Sequence, residues 1–274
     1  MKRALVPLVA VALLAGGCAA SKPAAVGTAP APVPTAPTPA AGSGSTQPAT
    51  TPDPGTAPAA DDGIVWKQGG IGYPLKSDDP RAKGKKVVML TFDDGPASVA
   101  QKGATAEILD ILKREHVQAT FFVTGYGVQS NPDLLRREID EGHTIGTHTM
   151  THPELWKIQT REGIEKEMLG VNALLEKVTG KPVKYFRPPN GMYNDPHGYI
   201  KAVARDNNLE IINWTTGALD WQLKDPQKIT DQVLKTIMPG GIVLMHDSHT
   251  WTAQALPGII QGLRDKGYEF VTIH

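Results

Sequence analysis

The chain of 274 residues sets 28 Lys and Arg against 28 Asp and Glu, so it carries no formal net charge. That balance excludes a broad electrostatic attraction to nucleic acid or to an anionic lipid surface, and any partner must be recognised locally. The length fits one or two domains and the uneven composition favours one, while the lone cysteine, Cys18, rules out an internal disulfide.

The first residues, Met1-Lys2-Arg3, precede an apolar run over 4–14 and then Ala15-Gly16-Gly17-Cys18. These are the parts of a secretory signal, and the apolar run is too short to span a bilayer permanently. Cys18 stands where a bacterial lipoprotein signal places its lipidated cysteine, although Ala15 replaces the usual leucine and Leu14 lies one position further out. The expectation is a signal over 1–18 and a secreted, extracellular protein, lipid-anchored at Cys18 to the outer face of a bacterial membrane. Cleavage near Ala20 would instead release it into the same compartment. Residues 19–62 hold ten of the 23 prolines among Ala, Thr, Gly and Ser, with almost nothing large and apolar to bury. Such a stretch cannot offset its ordering entropy and reads as a disordered tether.

A connecting segment over 63–85 leads into a domain over 86–274, where short β-rich apolar runs alternate with amphipathic ones. Strands are predicted over 86–92, 119–124, 143–147, 183–186, 210–215, 241–246 and 269–272. Helices are predicted over 104–115, 132–141, 161–179, 196–208, 226–237 and 253–266. Strand-then-helix order implies an α/β fold with a parallel sheet, and seven strands suffice to curl it into a barrel. An open doubly wound sheet is the competing architecture. Either way, polar residues should gather where strands end.

They do. The first strand breaks into Asp93-Asp94-Gly95-Pro96, and adjacent carboxylates after a buried strand are costly unless a cation neutralises them. Past the third strand, His148 and His152 are four apart, close enough to converge on one ion. Two imidazoles and one carboxylate suit zinc or a similar divalent ion and leave positions open for water and substrate, with the second aspartate free as a base. His143, inside its strand, reads as structural. The fourth strand ends in Arg187-Pro188-Pro189-Asn190-Gly191, whose prolines stiffen a loop able to aim Arg187 and a backbone N–H inward. Later strand ends supply Asp220-Trp221 and Leu244-Met245-His246.

In this order, the segments from Thr91 to Pro96, His148 to Pro153 and Arg187 to Gly191, with Asp220-Trp221 and Leu244-Met245-His246, resemble the polysaccharide deacetylase family with its NodB-type domain, carbohydrate esterase family four. The resemblance covers residue 86 to about the C-terminus and implies a distorted (β/α)7 barrel. It implies Asp94, His148 and His152 as metal ligands, Asp93 as general base and Arg187 as the residue that holds it. The backbone N–H of Asn190 would stabilise the oxyanion. His246, oriented and kept cationic by Asp220, would be the general acid. Trp221 and Leu244 would line the acetyl pocket. The chain departs from the family at Asn190, where an aromatic residue is frequent, and at Gly217, where another aspartate is frequent. The first departure removes a ring able to stack on sugar.

The implied activity is zinc-dependent or cobalt-dependent removal of N-acetyl groups from N-acetylglucosamine polysaccharide, with peptidoglycan first and chitin oligomers second. Alternatives are an esterase acting on O-acetyl xylan and a non-catalytic carbohydrate-binding lipoprotein. The partners expected are the acetylated polysaccharide, no nucleic acid, and a membrane met only through Cys18; a monomer is expected.

Overall fold

The computed structural model describes residues 65–67, 71–73, 84–191 and 194–273. The signal, Cys18 and the tether therefore lie outside the described residues. Strands β1 (Val65–Lys67) and β2 (Ile71–Tyr73) pair antiparallel. Then follow β3 (Lys86–Asp93), α1 (Thr105–Arg114), β4 (Thr120–Val123), α2 (Gly125–Ser130), α3 (Pro132–Asp140), β5 (Thr144–Thr147), α4 (Arg161–Thr179) and β6 (Tyr185–Phe186). The remainder comprises α5 (Tyr199–Asp206), β7 (Glu210–Ile211), β8 (Thr216–Gly217), α6 (Asp220–Leu223), α7 (Pro226–Thr236), β9 (Gly241–His246), α8 (Thr250–Asp265) and β10 (Tyr268–Phe270).

From β3 onward all strand pairs are parallel, in the order β7-β6-β5-β4-β3-β9-β8. The central strand β3 pairs along one edge with β9; its other edge takes β10 at its start and β4 at its end. The fold is a distorted (β/α)7 barrel.

The two-residue alternation of a strand sorts side chains between the inside of the barrel and its helical coat. Val88, Leu90, Phe92, Phe121, Val123, Val243 and Met245 belong to the outer core, shared with buried residues of α1, α7 and α8. Met89, Phe122, Tyr185, Ile212 and Ile242 form a separate inner cluster. A third cluster joins α4 and α5 over Phe186 and Ile211. By the same alternation, Thr91 and Asp93 share a face with Met89, and Leu244 and His246 share one with Ile242. Asp93 and His246 are thus the polar ends of two inward-facing rows.

The helices begin and end on residues suited to the task. Thr160 caps α4 by accepting from the Gly163 N–H, and Gly180 ends it in the left-handed conformation. Asp225 caps α7 in the same way, ahead of Pro226.

The structure corrects the sequence reading at 210–215. That run is not one strand: β7 pairs with β6, and after a break β8 pairs with β9. One stretch of chain therefore crosses from one end of the sheet to the other, with Ile212 N–H donating to Phe186 O and Thr215 N–H to Ile242 O. The sheet counts eight strands because one of the seven predicted runs is divided in two. Helices α2 and α6, of six and four residues, are too short to show a periodic signal. The predicted helix over 196–208 shortens to 199–206, and that over 253–266 starts at Thr250.

Candidate active site

The inward rows meet at a cavity of about 390 Å³ at the carboxyl ends of the strands. Asp93 ends β3 buried, with its Oδ1 accepting from Arg187 Nη1 at 2.7 Å. Asp94 then takes a left-handed turn, φ 78°, that brings its carboxylate to the cavity wall. Gly95 follows because nothing larger fits: a Cβ there would lie 2.0 Å from Asp247 Oδ2.

His148 enters from the end of β5 and is buried. Its Nδ1 lies 2.7 Å from the backbone carbonyl of Arg187. A carbonyl only accepts, so Nδ1 carries the proton and Nε2 presents its lone pair to the site. Burial pushes the His148 pKa down to about 3, against the pull of Asp94, so the ring stays neutral. His152 arrives on a turn with left-handed backbone at Thr149, φ 70°, and at His152 itself, φ 57°. The two rings are 4.9 Å apart.

Asp94 Oδ1 lies 3.6 Å from His148 Nε2 and 3.4 Å from His152 Nε2. That buried oxygen has no hydrogen-bond partner among the described residues. Tetrahedral coordination with bonds of ~2.1 Å spaces its ligands by about 3.4 Å. Two imidazole nitrogens and an unsatisfied carboxylate oxygen at such spacings fit a small divalent ion, and all three donors lie within 4.8 Å of one another.

Arg187 is fully buried inside the barrel. Its guanidinium donates to Asp93 Oδ1, to Thr91 Oγ1 at 2.8 Å, and to the carbonyls of Ile212 and Asn213 at 3.1 Å each. The ring of Phe122 lies 4.0 Å beneath it. The solvated arginine of a surface turn is thereby excluded. Burial raises the Asp93 pKa, and the charges of Arg187 and His246 oppose that rise.

Across the cavity, His246 ends β9 beside Asp220 at the start of α6. Its Nδ1 lies 2.7 Å from Asp220 Oδ1, and its backbone N–H donates to Asp220 Oδ2 at 2.7 Å. Thr252 Oγ1 and the Trp221 N–H complete the shell of that buried carboxylate. Burial alone would depress the His246 pKa, but the bond and charge of Asp220, with Asp94 and Asp93, outweigh it and raise it to about 9. The imidazole is cationic at neutral pH.

All the residues named from the sequence for chemistry are gathered here: Asn190, Trp221 and Leu244 line the same cavity as the two aspartates and three histidines. Asn190 holds a left-handed backbone, φ 59°. Trp221 is 55% exposed at the rim. His143 lies elsewhere, accepting from the Ala119 N–H through Nδ1. The sequence reading missed Trp214 and His249 as cavity residues, and Thr91 and Thr252 as supports. Trp214 was within reach of the strand-end rule; Thr252, inside a helix, gave no signal. Trp251 stacks on His249 at 4.7 Å and donates through Nε1 to the Asp220 carbonyl, so it braces the site from half-burial.

A family model described as polysaccharide deacetylase matches residues 81–212. It ends before Asp220 and His246, whose place comes from the structure. The chain is 42% identical over 194 residues to a Listeria monocytogenes protein named peptidoglycan-N-acetylglucosamine deacetylase PgdA, covering 71% of this chain and 39% of that one. It is 37% identical over 199 residues to a Bacillus cereus peptidoglycan-N-acetylglucosamine deacetylase, covering 70% and 71%. Among solved structures, one described as T48 deacetylase with substrate superimposes with a TM-score of 0.63 at 38% identity, covering 70% of this chain and 90% of that one. A CE4 family pseudoenzyme from Bacillus anthracis superimposes with a TM-score of 0.62 at 32% identity, covering 69% and 64%. With this identity spread over most of the folded part of the chain, the protein belongs to the polysaccharide deacetylase family.

Proposed function

We propose that the protein removes N-acetyl groups from N-acetylglucosamine units of peptidoglycan, releasing acetate and leaving the free amine. The observation that carries this reading is the pairing of a candidate base and a candidate acid across one cavity: Asp93, clamped by Arg187, and cationic His246, clamped by Asp220. A fold shared with a pseudoenzyme does not by itself indicate turnover, so the residues must do so. Here the base, the acid and the three candidate ligands are all present and aimed into one space, which argues against the binding-protein alternative. The preference for glucosamine units rests on the names of the relatives at 42% and 37% identity.

Asp94, His148 and His152 would hold a divalent ion, most simply zinc, with cobalt as a substitute. When bound, such an ion lowers the pKa of a water toward ~7 and polarises the acetyl carbonyl. The chain's own groups do the rest. Asp93 accepts the proton of the attacking water, and Arg187 keeps its carboxylate aimed. The backbone N–H of Asn190 supports the developing oxyanion. As the C–N bond breaks, His246 Nε2 donates its proton to the departing nitrogen, with Asp220 holding the ring. Leu244 and Trp221 provide apolar surface for the acetyl methyl.

The deacetylase domain over 86–274 would act as a monomer, secreted behind the 1–18 signal and anchored through Cys18 by the 19–62 tether beside the cell wall. Acetate release by the full chain from peptidoglycan, chitin oligomers and acetylated xylan, with and without a chelator, tests the proposal. Chelator-sensitive release from the N-acetyl substrates supports it. Release from xylan alone makes the protein an esterase, and no release returns weight to carbohydrate binding.

A further inference from the structure

His148 and His152 reach the site differently. The His148 ring is fixed by the bond from Nδ1 to the Arg187 carbonyl. The His152 ring, 38% exposed at its side chain, has no hydrogen bond to any described residue, so its aim depends on the backbone turn that carries it. That turn contains two non-glycine residues with left-handed backbone, Thr149 and His152, a conformation that is unfavourable unless the surroundings hold it. The His152 N–H donates to Thr149 Oγ1 at 3.0 Å, a local bond within the turn.

The outside anchor is on α4. Glu167 accepts from the Thr151 N–H through Oε2 and from Thr151 Oγ1 through Oε1, both at 3.0 Å. Its backbone carbonyl accepts from the Met150 N–H, also at 3.0 Å. One residue thus makes three bonds to the two positions immediately before His152. One turn further along the same helix, Gly170 leaves room for Met150: a Cβ there would meet Met150 Cγ at 2.7 Å. From the other side, the Gly125 and Tyr126 N–H groups donate to the carbonyls of Thr149 and Met150.

We infer that Glu167 is a positioning residue for the metal centre, holding the 149–152 turn so that His152 Nε2 stays within ligand distance of Asp94 and His148. Glu167 touches neither metal nor substrate. Its bidentate grip on Thr151 replaces the hydrogen bond to the ring that the His152 imidazole lacks. Outer-shell partners of this kind change metal affinity by ~10–100-fold when removed. This inference rests on the assignment of Asp94, His148 and His152 as ligands.

The test uses the full chain, with Zn2+ affinity measured by competition against a chromophoric chelator and the visible absorption of bound Co2+ as a report on ligand geometry. Wild type should bind one ion, and His152→Ala should bind far more weakly. Glu167→Ala should lose ~10-fold or more in Zn2+ affinity and show an altered Co2+ spectrum. Glu167→Gln, which keeps one acceptor oxygen, should fall between. Thr151→Val, which removes only the hydroxyl bond, covers the case in which Glu167→Ala fails to fold. A folded Glu167→Ala with unchanged affinity and spectrum overturns the inference, as does an unchanged Thr151→Val if Glu167→Ala fails to fold. Failure of wild type to bind either ion overturns the ligand assignment instead.

Discussion

Replacing Asp220 with asparagine would isolate how the cationic state of His246 is maintained. Four donors converge on the Asp220 carboxylate: His246 Nδ1 and the Trp221 N–H on Oδ1, the His246 N–H and Thr252 Oγ1 on Oδ2. Asparagine supplies one acceptor oxygen and turns an NH2 toward two of those donors. The full charge is lost as well. Burial, which depresses the His246 pKa, is then opposed only by Asp94 and Asp93. The pKa should fall from about 9 to about the ordinary 6.5 or below. In kcat/KM for acetate release, the alkaline limb should therefore move down by about two units or more. At pH 8 that corresponds to a loss of roughly 30-fold or more, shrinking toward pH 6. The sign for stability follows the same shift. A pKa raised in the folded state contributes stability that is fully present below about 6.5 and is lost as pH rises through about 9. The shift corresponds to at most ~3 kcal/mol, less with a cation neutralising Asp93 and Asp94. A variant that is folded and keeps the wild-type alkaline limb would refute the role of Asp220.

Arg187→Met leaves Asp93 buried without its partner and should destabilise the fold by ~3–5 kcal/mol in denaturant titrations; a loss under 1 kcal/mol would contradict the buried pairing. Asp93→Asn should reduce turnover by ~100-fold or more while the protein keeps its full complement of bound metal, measured after dialysis. A chelator should abolish acetate release and added Zn2+ or Co2+ restore it, whereas His148→Ala should stay inactive because its metal content is low. Gly95→Ala drives a methyl into the Asp247 carboxylate and should cost ~1–3 kcal/mol, with lower activity from the displaced Asp94; wild-type stability would argue against that close approach.

Strand and helix periods made the α/β class legible before any coordinates, with a barrel and an open sheet both standing, and the strand-end rule pointed to the aspartates and histidines. The resemblance to the polysaccharide deacetylases chose the barrel and supplied the residue roles. Thr91, Asp93, Leu244 and His246 follow the two-residue alternation of single strands, so their common inward face is a local property of β3 and β9. The histidine pair is four apart on one turn, another local arrangement. Position along the chain does not reveal what Arg187 does. Its partners are Thr91, Asp93, Ile212 and Asn213, from 25 to 96 residues away, and they meet only once the barrel closes. Sequence patterns likewise could not show that residues 210–217 bridge the two ends of the sheet, because each half of that run looks like an ordinary strand. Glu167 lies on the intermediate face of an amphipathic helix and becomes an anchor only because α4 packs beside the histidine turn. The sequence by itself determined the candidate metal donors, through residue types and spacing, and the family its motifs resemble, which carries the expected chemistry. The tertiary structure decided which groups share a charge environment, since pKa values and ligand spacing depend on distances that chain separation does not encode.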